Sequence, residues 1–121
     1  MRDDPPLPPV MAHWFAARGW SLRQHQRAML AADAARRDAV LVSATGSGKT
    51  LAGFLPSLID LAMAPTDTLH TLYVSPLKAL ANDIERNLSA PVAEMGLPIT
   101  IETRTGDTGA SIKARQRMRP P

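Results

Sequence analysis

Ser43-Ala44-Thr45-Gly46-Ser47-Gly48-Lys49-Thr50 follows directly on a short apolar run, Ala39-Val40-Leu41-Val42, and leads directly into a helical stretch that the sequence pattern carries to about Met63. Strand, glycine-rich turn, helix is the setting that a phosphate-binding loop of the x-x-x-G-x-G-K-T form requires. The chemistry follows from the residue types. Gly46 and Gly48 permit backbone angles that turn successive N–H groups inward, and the helix N-terminus behind them adds its dipole, so the loop forms a nest for an anion. Thr45, Gly46, Ser47 and Gly48 are then expected to line nucleotide phosphates, with Lys49 reaching the β- and γ-phosphates. The Thr50 hydroxyl is expected in the shell of a Mg²⁺ that otherwise keeps water and phosphate oxygens. Where the general pattern opens on Gly, this loop has Ser43, which separates it from the loops of small GTPases and most nucleotide kinases.

The pattern continues on both sides of the loop. Upstream, residues 10–18 and 22–37 read as two helices parted by Gly19, the second capped at Ser21, with Leu22, Met29 and Leu30 on one apolar side and Arg23, Arg27, Arg36 and Arg37 on the rest. Residues 1–9, with their Pro-Pro-Leu-Pro-Pro run, read as an extended lead-in to a domain over 10–121. Downstream, residues 69–74 read as a second strand, 77–95 as a helix, 99–103 as a third strand, and a basic helix begins near Ser111. Strands alternating with helices define the fold class as α/β, in three layers with a mostly parallel sheet and right-handed crossovers. Ligands of such sheets sit at the carboxyl ends of the strands.

Length and composition set outer limits. At 121 residues the chain has room for one domain, and 45% hydrophobic with 21% charged residues is the balance of a globular protein. Fourteen Lys and Arg against eleven Asp and Glu leave a formal charge of +3, compatible with a polyanionic partner but too small to demand one. The absence of cysteine removes disulfides and thiolate metal sites, and fits a reducing compartment, so the cytoplasm is expected. No run approaches the roughly 20 apolar residues that span a bilayer, so no membrane partner is expected.

Two further motifs stand at set distances from the loop. Trp20-Ser21-Leu22-Arg23-Gln24-His25-Gln26 lies upstream, with Gln26 placed 24 positions before Thr50. Ser75-Pro76-Leu77-Lys78-Ala79-Leu80-Ala81-Asn82-Asp83 and Thr103-Arg104-Thr105-Gly106-Asp107-Thr108 follow downstream. In order and spacing these resemble the adenine-reading Q motif, motif Ia and the next strand-end motif of superfamily 2 DEAD/DEAH-box helicases. With Ala52-Gly53-Phe54-Leu55-Pro56, the chain is most similar to Lhr-type enzymes, and among these to the bacterial ligase-associated DNA helicases.

The resemblance implies a partial RecA-like P-loop domain, ATP and Mg²⁺ as cofactors, and ATP-driven 3′-to-5′ movement on single-stranded or partly duplex DNA, with RNA left open. It further implies a role in DNA repair beside proteins such as a ligase or nuclease. Carried over residue by residue, it assigns adenine recognition to Arg23 and Gln26, catalysis to Lys49 and Thr50, and nucleic-acid contact to Pro76, Leu77, Lys78, Thr105 and Gly106. The chemistry agrees: Gln26 offers a donor and an acceptor, Arg23 a flat guanidinium, and the start of a helix at Lys78 holds a phosphate without reading bases.

Plainer readings stand beside these. Lys78 also reads as an ordinary exposed helix lysine, and Lys113, Arg115, Arg117 and Arg119 as a solvated basic face. Trp14, Phe15 and Trp20 read as packing rather than as stacking platforms for bases. His13, His25 and His70 have no metal-ligand spacing. The family's Asp-Glu-x-His motif has no counterpart, since neither Asp83 nor Asp107 stands in that context. Weak nucleotide binding without turnover, marginal stability and a truncated reading of a longer gene are expected on that account, so a non-catalytic binding module is the alternative function. A small P-loop kinase is disfavoured because residues 75–83 occupy the place where acceptor-site and lid residues would stand.

Overall fold

The computed structural model describes residues 7–42 and 49–121. Among these are five helices: α1 (Pro9–Ala17), α2 (Gln24–Ala34), α3 (Lys49–Met63), α4 (Lys78–Met95) and α5 (Ala110–Met118). They divide between two compact units, Met1–Met63 and Ala64–Pro121.

Each helix in the first unit has a local cause. Pro9, which the sequence places in the lead-in, is instead the first residue of α1, where its missing N–H costs nothing and its fixed φ suits the helix. The end of α1 is set by Gly19 at φ 67°, with Gly19 N–H donating to Ala16 O and Trp20 N–H to Phe15 O. This paired closure leaves Trp20 beside Phe15, ring centroids 6.5 Å apart, as expected for a helix end sealed by an apolar contact. Trp14 meets both rings edge-on at 5.4 and 5.5 Å, and the Arg18 guanidinium lies 4.4 Å from the Trp14 centroid. The three aromatics therefore pack on one another, as their sequence reading has it.

α2 starts later than the sequence suggests, and its N-cap is Arg23 rather than Ser21. Gln26, three residues into the helix, accepts the Arg23 N–H through Oε1 at 2.9 Å and so closes the first turn from inside. α2 packs on α3, and the core of the unit is Met11, Phe15, Leu22, Leu30, Ala52, Leu55 and Leu58, with Gln26 the buried polar residue among them. Pro56 lies inside α3 without ending it.

In the second unit α4 runs through Pro91 and ends at Gly96, φ 64°, where Gly96 N–H and Leu97 N–H return to Ala93 O and Val92 O. Leu88 and Val92 are its buried apolar side chains, while α5 buries none. A cavity of about 410 Å³ lies along α4, lined by Val92, Gly96, Leu97, Ile99 and Ile101 among others.

The three segments read as strands, 39–42, 69–74 and 99–103, form no strand among the described residues. The physical reason is that a helix satisfies its own N–H and C=O groups, whereas a run of four to six extended residues needs a neighbour at ladder distance. Side chains that a sheet would bury are correspondingly open: Val40 is 91% exposed, Val42 88% and Val74 80%.

Candidate functional site

In the first unit those expected nucleotide residues that are described fall at the starts of two packed helices. Thr45, Gly46, Ser47 and Gly48 lie outside the described residues. Lys49 and Thr50 open α3 and are half-buried, which puts an ammonium and a hydroxyl at a helix N-terminus. That end of a helix carries unpaired N–H groups and the positive pole of the dipole, the environment a phosphate favours. Arg23 and Gln26 sit at the start of α2, the helix packed on α3. Gln26 is buried, 4% exposed, and its carbonyl already serves the Arg23 N–H. Its amide NH₂ and the second lone pair of Oε1 are the parts with capacity for a base edge.

Two neighbours of Gln26 escape the sequence reading. Arg27 donates from its guanidinium to Leu22 O, tying the entry segment to α2. His25 Nε2 is buried with no hydrogen-bond partner among the described residues. Neither spacing has a signature that would have singled it out.

In the second unit the two expected nucleic-acid segments come together. Pro76, Leu77 and Lys78 are exposed at the start of α4, in a turn where Ser75 Oγ donates to Leu77 O at 3.2 Å and accepts Leu77 N–H at 3.4 Å. Thr105 and Gly106 belong to a second turn, in which Thr105 N–H donates to Thr108 Oγ1 at 2.9 Å and Asp107 N–H to Thr105 Oγ1 at 3.2 Å. Lys78 Nζ and Asp107 Oδ2 form an ion pair that joins the turns. The hydrogen bond from Lys78, and then its charge, hold the Asp107 carboxyl below its ordinary range. An exposed lysine, exposed backbone and a helix start with no side-chain cap suit a sugar-phosphate backbone.

The second turn is held from behind. Glu102 accepts from Nη1 and Nη2 of Arg115, the Nη1 bond being 3.1 Å, and from Gln116 Nε2 at 3.1 Å. Gln116 Nε2 also donates to Thr103 O at 3.1 Å. Arg115 is therefore not a solvated member of a basic face: its fork fixes the segment leading to Thr105. The Arg115 and Gln116 hydrogen bonds lower the Glu102 pKa against the opposing effect of burial. Among the described residues no group of three or more His, Cys, Asp or Glu is placed to hold a metal. No helix among them is long and apolar enough to cross a membrane.

Lys49 and Thr50 at the start of α3, with a buried glutamine on the packed helix α2, are residue types in places that suit a P-loop domain. The sequence profile of DEAD/DEAH box helicases matches residues 23–119, and the chain belongs to that family. It is 38% identical to the ATP-dependent helicase Lhr-Core of Methanocaldococcus jannaschii across 89% of this chain and 15% of that protein. It is 46% identical to the Lhr helicase/probable uracil glycosylase of Mycolicibacterium smegmatis across 68% of this chain and 6% of that protein. The crystal structure of the DUF1998 helicase MrfA bound to DNA and AMPPNP superposes with a TM-score of 0.86 at 32% identity, covering 97% of this chain and 17% of that one. The fold is thus that of a helicase RecA-like domain, and the chain spans about 15% of the length of the Lhr-Core relatives it matches.

Proposed function

We propose that this chain is the nucleotide- and DNA-gripping front portion of an Lhr-type, ATP-dependent DNA helicase or translocase. The observation that carries the proposal is the likeness of 97% of the chain to part of a helicase caught with DNA and a non-hydrolysable ATP analogue. Within it, Arg23 and Gln26 recognise adenine, the loop 43–48 with Lys49 holds the phosphates, and Thr50 offers its hydroxyl to Mg²⁺. The residues fit that ion because Thr50 stands in the first turn of α3 beside Lys49. When bound with nucleotide, Mg²⁺ supplies charge neutralisation at the phosphates. Pro76, Leu77, Lys78, Thr105 and Gly106 contact the backbone of a single strand without reading its sequence.

The segments 39–42, 69–74 and 99–103 are proposed to pair as parallel strands in the whole domain, which would cover their exposed valines and leucines. A role in DNA repair, with a ligase or nuclease as partner, belongs to the same proposal and is supported by the motif resemblance alone. No Asp-Glu-x-His occurs among residues 1–121, so the carboxylate that positions water is not among the groups this segment supplies.

Intact mass of the endogenous product, with its ATPase rate measured with and without single-stranded DNA, tests the proposal. A protein longer than 121 residues should hydrolyse ATP in a DNA-stimulated manner, and Lys49→Ala should lower that rate by about 100-fold or more. A product of this length that binds nucleotide and never turns it over would establish the binding function instead.

A further inference from the structure

The turns 75–77 and 105–108 are joined by an ion pair whose acidic member, Asp107, has no part in the assignments above. Lys78 Nζ reaches Asp107 Oδ2 across 29 positions of sequence. Neither side chain hangs from a loose surface loop. Asp107 is seated in the turn closed by Thr105 and Thr108, and Lys78 follows the turn closed by Ser75. Both remain open to solvent, at 53% exposure for Lys78 and 73% for Asp107, so a phosphate approaching this lysine meets a carboxylate already on it.

We propose that Asp107 is a built-in competitor of the DNA backbone for Lys78. The carboxylate occupies the lysine while the track is empty and repels the phosphate that displaces it, so the segment grips a single strand less tightly than its basic residues alone would. The proposal rests on the assignment of residues 76–78 and 105–106 to the DNA track. Its physics is that an exposed ion pair is weak and exchangeable, so Asp107 does not block the lysine and only sets the cost of using it. A phosphate held by Lys78 lies near the vacated carboxylate, where like charges oppose each other and screening is incomplete at low salt. A protein that moves along a strand must release each phosphate it holds, and a competitor fixed beside the lysine shortens that hold.

The test is fluorescence-anisotropy titration of the full chain with labelled oligodeoxythymidylate at several salt concentrations. Native protein, Lys78→Ala, Asp107→Asn and the double variant are compared, with circular dichroism confirming helix content in each. Asp107→Asn should tighten binding about three- to tenfold and steepen the dependence of log affinity on log salt by up to about 0.7. Lys78→Ala should weaken binding by a similar factor, and on that background Asp107→Asn should change affinity less than about twofold. Equal tightening on both backgrounds would make the effect one of net charge and overturn the competitor, as would unchanged or weaker binding by Asp107→Asn alone. If Lys78→Ala leaves affinity untouched, the DNA-track assignment itself fails, which is a different result from a functional Lys78 with an indifferent Asp107.

Discussion

The units Met1–Met63 and Ala64–Pro121 are held together by different means. The first has an apolar core drawn from all three of its helices, with Met11, Ala52 and Leu55 at 1% exposure or less. The second buries only Leu88 and Val92 among its described large apolar residues, and its side-chain links between distant segments are polar: the exchangeable Lys78–Asp107 pair, and Glu102 held by Arg115 and Gln116. Apolar burial involves neither titration nor charge screening, whereas ion pairs between partly exposed groups depend on both. The difference teaches that these units should respond to different perturbations, and that the segment assigned to DNA is the one whose geometry charge controls.

The strongest way to break this contrast is in the first core. Leu55→Ala should lower stability by about 3 kcal/mol, followed through Trp14 and Trp20 fluorescence in a urea titration. Leu88→Ala, beside few other buried groups, should cost roughly half as much when followed by circular dichroism, because solvent can reach the vacated space. Equal costs would mean that the second unit has as firm a core as the first.

A smaller effect sharpens the polar side. Glu102→Gln should destabilise the second unit by about 1 kcal/mol or less at neutral pH, because solvent screens the partly exposed Arg115. Glu102 titrates below its ordinary 4.5, so its contribution is fully present above that value and is lost as pH falls through the lower folded one. Native protein should therefore lose more stability than the glutamine variant in an acid titration through that window. Parallel acid curves would remove the pair as a tie.

The smallest effect lies at the end of α2. Arg36 has φ 55° and closes the helix with the same pair of bonds that Gly19 closes α1, Arg36 N–H to Asp33 O and Arg37 N–H to Ala32 O. A side chain at that angle is strained, so Arg36→Gly should raise stability by about 0.5 kcal/mol in the same urea titration. No gain would show that the arginine makes a compensating contact.

Much of this was legible without coordinates. The span of α3 matches its expectation, α1 and α4 begin and end within a residue of theirs, and α5 begins within a residue of its own, because periodicity, Gly19 and Gly96 act locally. The start of α2 was misplaced because Gln26 closes that turn through its own side chain, an arrangement that a preference for serine at helix caps does not anticipate. Motif order likewise singled out Arg23, Gln26, Lys49, Thr50, Lys78 and Thr105 as the candidates proposed above, since spacing along the chain carries it.

The amino-acid sequence by itself determined the family, most of the helix bounds and the residues proposed for nucleotide and DNA, since each depends on neighbours a few positions apart or on a fixed order of motifs. Only the tertiary structure decided that Lys78 faces Asp107, that Arg115 and Gln116 grip Glu102, and that the apolar runs 39–42 and 69–74 lie open. Those outcomes turn on groups tens of residues apart, or on a ladder partner that a strand cannot provide for itself.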